Sequence, residues 1–529
     1  MEYHIIPRPN GRMNFTGGNF PLPQALCVDR GDFAAGPLEV FAQRTGVTLA
    51  EEGPALMKLY RNDAFPKEAY RLRVTQAKGI QIEAATEQGL CWALTTLFSL
   101  IDGGQSGSPR GPQASWGILP CCDIIDQPQY KYRGILLDCV RHFFPTETVK
   151  DFIEAISLVK INTLHWHLTD DQGWRIESKL FPALHEDNAP EYYTQEEIQD
   201  IVAFAAARGV EIMPEVDLPG HTTSILSVMP ELGCAGKKVR LGDAPGIYSV
   251  ILCPGKEAVF ELLLPLLEEV AGLFPSPLFH LGGDEAPKVE WRACPDCQRR
   301  MAEQNLETEE ELQGWFTARL AAHLRGLGKR PVCWNESLLS TYLQNAAPDL
   351  VAQYWAEMHT EGPARRFWEA GGDIIFSDYL RVYLDQPHGS NPLKGVYAYA
   401  PSLPFYTSKE ALPVFGMEAC VWTEYIATPE RLAQMAFPRV HALAEAAWTH
   451  PARKDYEDFR NRLDAWLARH SNMDFTPPEL CDPQGFGRYR ERAKFMKMQA
   501  LAPRPENNGG VGGAIAPSYL LRWLKFYLG

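Results

Sequence analysis

Eight short runs rich in β-branched and aromatic residues, spread between residues 133 and 422 and separated by helical patterns, restrict this chain more than any other feature. The runs are 133–139 (RGILLDC), 161–170 (INTLHWHLTD), 210–217 (VEIMPEVD), 278–285 (LFHLGGDE), 331–336 (PVCWNE), 350–355 (LVAQYW), 373–378 (DIIFSD) and 414–422 (VFGMEACVW). Between them Thr146–Lys160, Thr194–Arg208, Lys256–Phe274 and Thr308–Gly326 repeat apolar residues with the helical period. Alternation of this kind gives parallel strands covered by helices, and eight such units fit one closed (β/α)8 TIM barrel. The expected class is α/β.

The rest of the chain divides around that barrel. Residues 1–125 read as a small N-terminal α/β domain: Ala69–Val74 and Gly79–Ala84 alternate apolar and polar side chains as half-buried strands do, and Gln88–Ile101 follows as an amphipathic helix. The Gly/Ser/Pro-rich stretch Gly103–Gln113 marks a loop or boundary. The barrel is expected over 126–450, its last helix being Pro429–Ala447. A C-terminal helical extension, 451–529, holds helical patterns at Asp455–His470 and Arg488–Leu501, a flexible Asn507–Gly513 and an apolar Ser518–Leu528 expected to dock on the barrel.

Composition narrows function. A net charge of −15 with no cluster of Lys and Arg argues against nucleic acid as a partner. Residues 1–7 (MEYHIIP) lack the order of a secretion signal, and no stretch is long and apolar enough to span a bilayer, so a cytoplasmic location is expected. The twelve cysteines are scattered and expected to be mostly buried thiols. Cys294-Pro-Asp-Cys297 has metal or redox spacing, but no second pair of that kind is visible, so structural thiols or a local disulfide rank ahead of zinc. No metal or cofactor is expected.

Barrels of this class carry their chemistry at the carboxyl ends of the strands. Those ends offer Asp138 and Arg141; His165, His167, Asp170 and Asp171; Glu215, Asp217 and His221; Asp284 and Glu285; Trp334 and Glu336; Trp355; Tyr383 and Asp385; Trp422 and Glu424. The fourth run is the most telling, because two glycines let the chain turn before two adjacent acids. Neighbouring side chains in a strand point to opposite faces, so Asp284 and Glu285 serve one pocket only if the strand has ended. Two close acids resist ionising together, which keeps a proton on one of them towards neutrality. Aromatic walls beside many carboxylates suit a sugar, whose C–H face packs on indole while its hydroxyls take charged partners.

These motifs, in order, resemble the signatures of glycoside hydrolase family 20: Tyr132–Phe143 (YRGILLDCVRHF), Leu164–Gln172 (LHWHLTDDQ), Pro214–His221 (PEVDLPGH), His280–Glu285 (HLGGDE), then Trp334–Glu336, Tyr383–Asp385 and Gly416–Glu424 (GMEACVWTE). The N-terminal unit also resembles the small domain that precedes the barrel in that family. The resemblance implies a retaining exo-acting β-N-acetylhexosaminidase that removes terminal GlcNAc or GalNAc by substrate-assisted catalysis, an exception to the two-carboxylate scheme. It implies that Glu285 is the acid, that Asp284 accepts the acetamide N–H, and that Tyr383 donates to the acetamide oxygen. Trp334, Trp355 and Trp422 would enclose the sugar, Arg141 would bind O3 and O4, and Asp385 and Glu424 would hold O4 and O6. His221, Asp217, Asp170 and His165 would support the acid. The partner implied is a glycan or glycoconjugate with a terminal N-acetylhexosamine. Met417 stands where a second glycine is frequent, and Asn335 precedes Glu336 at a variable position.

Two rival readings predict different residues. A metal-dependent barrel hydrolase would use His165-x-His167 and needs further His or Lys at later strand ends, where this chain has Trp, Tyr and acids. A non-catalytic carbohydrate-binding protein would keep the aromatic wall and lose an acid, yet both Asp284 and Glu285 are present.

Overall fold

The computed structural model describes residues 4–101, 117–187, 191–356, 361–403, 414–470, 475, 483 and 485–502. The expected boundary loop Gly103–Gln113, the linker Asn507–Gly513 and the apolar segment Ser518–Leu528 lie outside these residues.

Eight parallel strands close into a barrel: β1 (Tyr132–Asp138), β2 (Thr163–His167), β3 (Glu211–Glu215), β4 (Leu278–His280), β5 (Arg330–Trp334), β6 (Val351–Tyr354), β7 (Asp373–Phe376) and β8 (Gly416–Val421), with β8 pairing back onto β1. Each falls inside or beside one of the eight sequence runs. Helices Thr146–Ser157, Gln195–Ala206, Glu257–Leu273 and Glu309–Gly326 fill the intervals. Two of them start on side-chain caps, Thr194 accepting from the Glu197 N–H in a capping box and Thr308 from the Glu311 N–H, which satisfies amides that have no partner within the helix.

The expected single helix over 429–447 is two helices, Pro429–Ala436 and Arg439–Trp448. Pro438 has no N–H to donate and its ring excludes an unbroken turn, so the helical period continues through a corner. The extension supplies Tyr456–Arg469 and Phe486–Leu501.

Ahead of the barrel a seven-stranded mixed sheet, including Tyr70–Thr75 and Gly79–Ala84, packs on helix Glu87–Leu100 around its own core, which includes Trp92, Leu72 and Ile82. Polar side chains seal it to the barrel. Arg133 is wholly buried and sets both terminal nitrogens on Glu68, at 3.2 and 2.5 Å, while Trp92 Nε1 donates to the same carboxylate at 2.8 Å. Lys160 Nζ reaches Asp126 at 3.1 Å and the Tyr70 hydroxyl at 2.9 Å.

Strand register sets the site's height. Asp138 pairs with His167, His167 with Glu215, and Glu215 with His280, so four polar residues occupy one level at the carboxyl ends of β1 to β4. Of the residues the sequence marked as chemical, His165 lies two positions below this level on β2, paired with Leu136 and Met213.

Candidate active site

The level begins with Glu215, a buried carboxylate facing three imidazoles. His167 Nδ1 makes a very short contact to it, His165 Nε2 lies at 3.3 Å, His280 Nδ1 at 2.9 Å, and the Trp334 indole donates at 2.8 Å. The imidazoles, His167 first, hold Glu215 well below the ordinary carboxylate range despite its burial, while burial lowers His280 itself. In return carboxylates push His167 up to about 10 and His165 up to about 9, against the opposing effect of burial, so both are imidazolium at neutral pH. His165 also reaches Glu418 at 2.9 Å and His167 reaches Asp170 at 2.9 Å. His165, expected among the groups that support the acid, lies in this ion-paired floor two positions below His167 on β2. The rings that a metal-dependent hydrolase would use are thus turned onto carboxylates.

Above the floor, β4 stops at His280 and the two glycines turn the chain. Gly282 has φ +63° and Gly283 φ +103°, and a Cβ on Gly282 would stand 1.7 Å from Asp217 Oδ1. The close approach lets Asp217 accept the Gly283 N–H at 3.0 Å, while Gln313 Nε2 donates to the Gly283 carbonyl at 2.7 Å. Glu285 itself has φ +45°. With the strand ended, Asp284 and Glu285 face one side: His221 Nε2 lies 3.8 Å from Asp284 Oδ2 and 3.8 Å from Glu285 Oε2.

Burial is the main cause of the pair's electrostatics. It raises Glu285 to about 7, helped by the Asp284 and Glu424 charges and opposed by His221 and Arg141. Asp284 is also raised by burial, with His221 the main opposing charge. His221 is held well above its ordinary value, against its own burial, by Asp170 and Asp217. Asp217 itself is raised by burial and by the Asp284 charge.

Arg141 enters from the end of β1. Its guanidinium binds Asp170 at 2.7 Å and Asp138 at 3.3 Å and lies 5.0 Å from the Trp422 ring centre. Asp138 in turn fixes the Val140 and Thr423 amides at 2.8 and 3.0 Å, locking the ends of β1 and β8 together. Trp334, Trp355, Tyr383 and Cys420 form one aromatic cluster with Trp422 packed on it. Trp355 and Tyr383 stack at 6.2 Å, and Trp334 and Trp422 lie 6.0 Å apart. Trp334 is buried, its indole N–H spent on Glu215, so it backs the wall more than it faces the cavity. Burial and the Glu424 charge lift Asp385 to about 8, and burial raises Glu424 as well.

Two contributors escaped the sequence reading of roles. Glu336 Oε2 accepts the Trp355 indole N–H at 2.8 Å, and burial with the Asp284 charge lifts Glu336 to about 8. Its place next to Trp334 at a strand end was the available signal. Arg439, wholly buried, donates to the carbonyls of Leu384, Gln386 and Asn391 at 2.6, 2.8 and 3.0 Å, clamping the turn that carries Tyr383 and Asp385. Nothing in a helix 55 residues downstream points to that role. Five site atoms, Asp284 Oδ1, Asp385 Oδ1, Glu336 Oε1, Arg141 Nε and His221 Nε2, are buried with no hydrogen-bond partner among the described residues, which leaves them for a polar ligand or water.

Comparison with known proteins gives the family. The profile of the glycosyl hydrolase family 20 catalytic domain matches residues 130–451, and that of the family's domain 2 matches residues 2–127. The chain belongs to glycosyl hydrolase family 20. It is similar to a β-hexosaminidase of Porphyromonas gingivalis, 35% identical over 75% of this chain and 53% of that one, so it spans about half the length of that relative. A β-hexosaminidase of Akkermansia muciniphila is 30% identical over 81% of this chain and 90% of its own length. Among solved structures, the exo-β-N-acetylglucosaminidase of Vibrio harveyi in complex with N-acetylglucosamine superposes with a TM-score of 0.78 at 31% identity, over 90% of this chain and 78% of that one. The family 20 barrel and preceding domain agree with the fold expected from sequence. Among the described residues no helix is long and apolar enough to cross a membrane.

Further along the two segments that carry His221 and the acid pair lie four cysteines. Cys294 and Cys297 meet Cys234 and Cys253, all four sulfurs lying within 4.8 Å of one another, and all four are free thiols. Of the two arrangements expected for Cys294 and Cys297, structural thiols or a local disulfide, the structure has thiols, and the second pair is split between distant positions.

Proposed function

We propose that this pocket removes a terminal β-linked N-acetylhexosamine with retention of configuration, the substrate's own acetamide attacking the anomeric carbon. The chain is a glycoside hydrolase of the β-N-acetylhexosaminidase type, as its family and relatives indicate. The observation that carries the division of roles is the approach of both Asp284 and Glu285 to one His221 nitrogen, which turns two neighbouring acids into one pocket.

Glu285, raised to about 7 by burial, keeps a proton near neutrality and gives it to the glycosidic oxygen as the C1–O bond breaks. The acetamide oxygen closes on C1 to form an oxazolinium ion. Asp284 accepts the acetamide N–H and offsets the growing positive charge, while the Tyr383 hydroxyl donates to the acetamide oxygen. Trp355 and Trp422 restrict the acetamide to the attacking orientation, an effect worth on the order of 7–11 kcal/mol at its limit. Glu285, now a carboxylate, takes a proton from the incoming water, which opens the ring of the intermediate and restores both catalyst and acetamide. Arg141, Asp385 and Glu424 bind the ring hydroxyls. GlcNAc and GalNAc differ only at O4, which these three residues would read.

Paired assays of aryl β-GlcNAc, β-GalNAc and β-glucoside test the reading. Hydrolysis of the first two, tight inhibition by a thiazoline mimic of the intermediate and negligible turnover of the glucoside are expected. Comparable turnover of the glucoside would overturn acetamide participation.

A further inference from the structure

The loop that follows β3 and the segment that follows β4 both leave the active site and meet again at the cysteines. The first carries His221 and then Cys234 and Cys253; the second carries Asp284 and Glu285 and then Cys294 and Cys297. We propose that Cys234, Cys253, Cys294 and Cys297 bind one zinc ion in a closed tetrahedral thiolate site that staples these two segments together.

The distances fit a metal better than any other use of four thiols. Cys253 Sγ lies 3.5 Å from Cys297 Sγ and 3.7 Å from Cys294 Sγ, and Cys234 Sγ lies 3.8 Å from Cys297 Sγ. A Zn–S bond of about 2.3 Å gives a tetrahedron with edges of about 3.8 Å. A disulfide needs its sulfurs at about 2.05 Å. Cys253 is in simultaneous contact with two other sulfurs, which pairwise disulfides do not require and a shared ion does.

The backbone is shaped for the cluster as well. A Cβ on Gly255 would meet the Asp296 carbonyl carbon at 2.2 Å and the Cys297 nitrogen at 2.4 Å, so only glycine lets the two segments come this close. Cys294 stands at the N-cap position and Cys297 in the first turn of helix Pro295–Gln304, whose positive end favours thiolate. Cys253 is pinned by its N–H to the Leu232 carbonyl at 2.9 Å, and Trp291 Nε1 ties the second segment to the Leu252 carbonyl at 2.9 Å. Lys256, anchored on the Glu231 and Gly233 carbonyls at 2.7 and 2.6 Å, puts a cation in the same loop, where four thiolates around a divalent ion leave a net double negative charge. Four S–Zn bonds form as four thiol protons pass to solvent; no redox partner is involved. With all four positions filled by sulfur, the ion has no open position for substrate or water, so its role is structural.

The test uses the full chain purified under reducing conditions without chelator, with Cys27→Ser as a control outside the cluster and Cys294→Ser/Cys297→Ser as the site variant. Elemental analysis should find zinc near equimolar with wild type and C27S and at background in the double variant. Should that variant fail to fold, wild type reconstituted with cobalt supplies the answer: intense visible bands of tetrahedral cobalt with thiolate-to-cobalt charge transfer support the site. Zinc below a tenth of equimolar after dialysis against zinc, stoichiometric iron in its place, a disulfide mapped among the four cysteines, or a weak octahedral cobalt spectrum would each overturn it.

Discussion

Asp170 Oδ1 accepts a hydrogen bond from His221 Nδ1 at 3.1 Å, which turns the other imidazole nitrogen towards the carboxyl pair. The contact makes His221 a fixed cation and thereby a determinant of both acids. Replacing His221 with Asn removes a charge that lowers Glu285 and Asp284 alike, so both should titrate higher. The alkaline limb of kcat/KM, set by loss of the Glu285 proton, and the acid limb, set by protonation of Asp284, should each move to higher pH by on the order of one unit. A pH profile with unmoved limbs would contradict this.

For the wild-type enzyme the sign follows from burial. Glu285, the proposed proton donor, is raised to about 7, so its proton is present below that pH and lost above it. kcat/KM should therefore fall as pH rises through about 7. In Glu285→Gln that limb should vanish, with turnover of poor leaving groups down by about 10²–10⁴-fold and activated aryl glycosides hurt less. A Brønsted plot against leaving-group pKa is the measurement.

Glu336 gives a conservative and a disruptive variant. Gln retains an oxygen to accept the Trp355 indole N–H, and Glu336, raised to about 8, is already largely protonated at pH 6. Glu336→Gln should thus leave KM close to wild type there, whereas Glu336→Ala frees Trp355 and should raise KM about tenfold, the worth of one buried hydrogen bond. Steady-state kinetics on aryl GlcNAc distinguishes the two.

Gly282→Ala tests the turn. Its Cβ would strike Asp217 Oδ1, which holds the Gly283 amide, at a positive φ that alanine disfavours. Displacing the acids by about an ångström should lower kcat/KM about 10²-fold, while a circular dichroism spectrum stays native.

Glu68→Ala addresses stability away from the site. It strips Arg133 of a carboxylate shared with Trp92 and leaves a buried guanidinium unpaired. A loss of about 3–5 kcal/mol is expected in denaturant unfolding. A change under 1 kcal/mol would show that Arg133 finds other partners.

Much of this was legible in order along the chain because each barrel strand carries its own signature and ends where its polar residue begins. Leu278–His280 followed by two glycines is such a case: the break in apolar pattern and the turn residues both announce where Asp284 leaves the strand. The legible part thins where the partner is distant. Nothing near Arg439 says that three carbonyls of the Tyr383 turn will converge on it, and nothing near Cys234 or Cys253 says that they will meet Cys294 and Cys297. The double helix at 429–448 was missed because periodicity reports a buried face and is blind to a corner that Pro438 puts in it. His165 was assigned upward because sequence gives a residue's strand but not its depth in the barrel.

The in-register level of Asp138, His167, Glu215 and His280 bears on how such a pocket can change. Each of these groups is paired with a neighbour, so exchanging any one of them alone leaves a buried partner without its contact in a medium too dry to solvate it. New specificity can therefore be engineered one residue at a time at Asp385 and Glu424, the proposed partners of the ring hydroxyls, whereas Arg141, paired with Asp138 and Asp170, belongs with the base. The base admits revision only as a matched set.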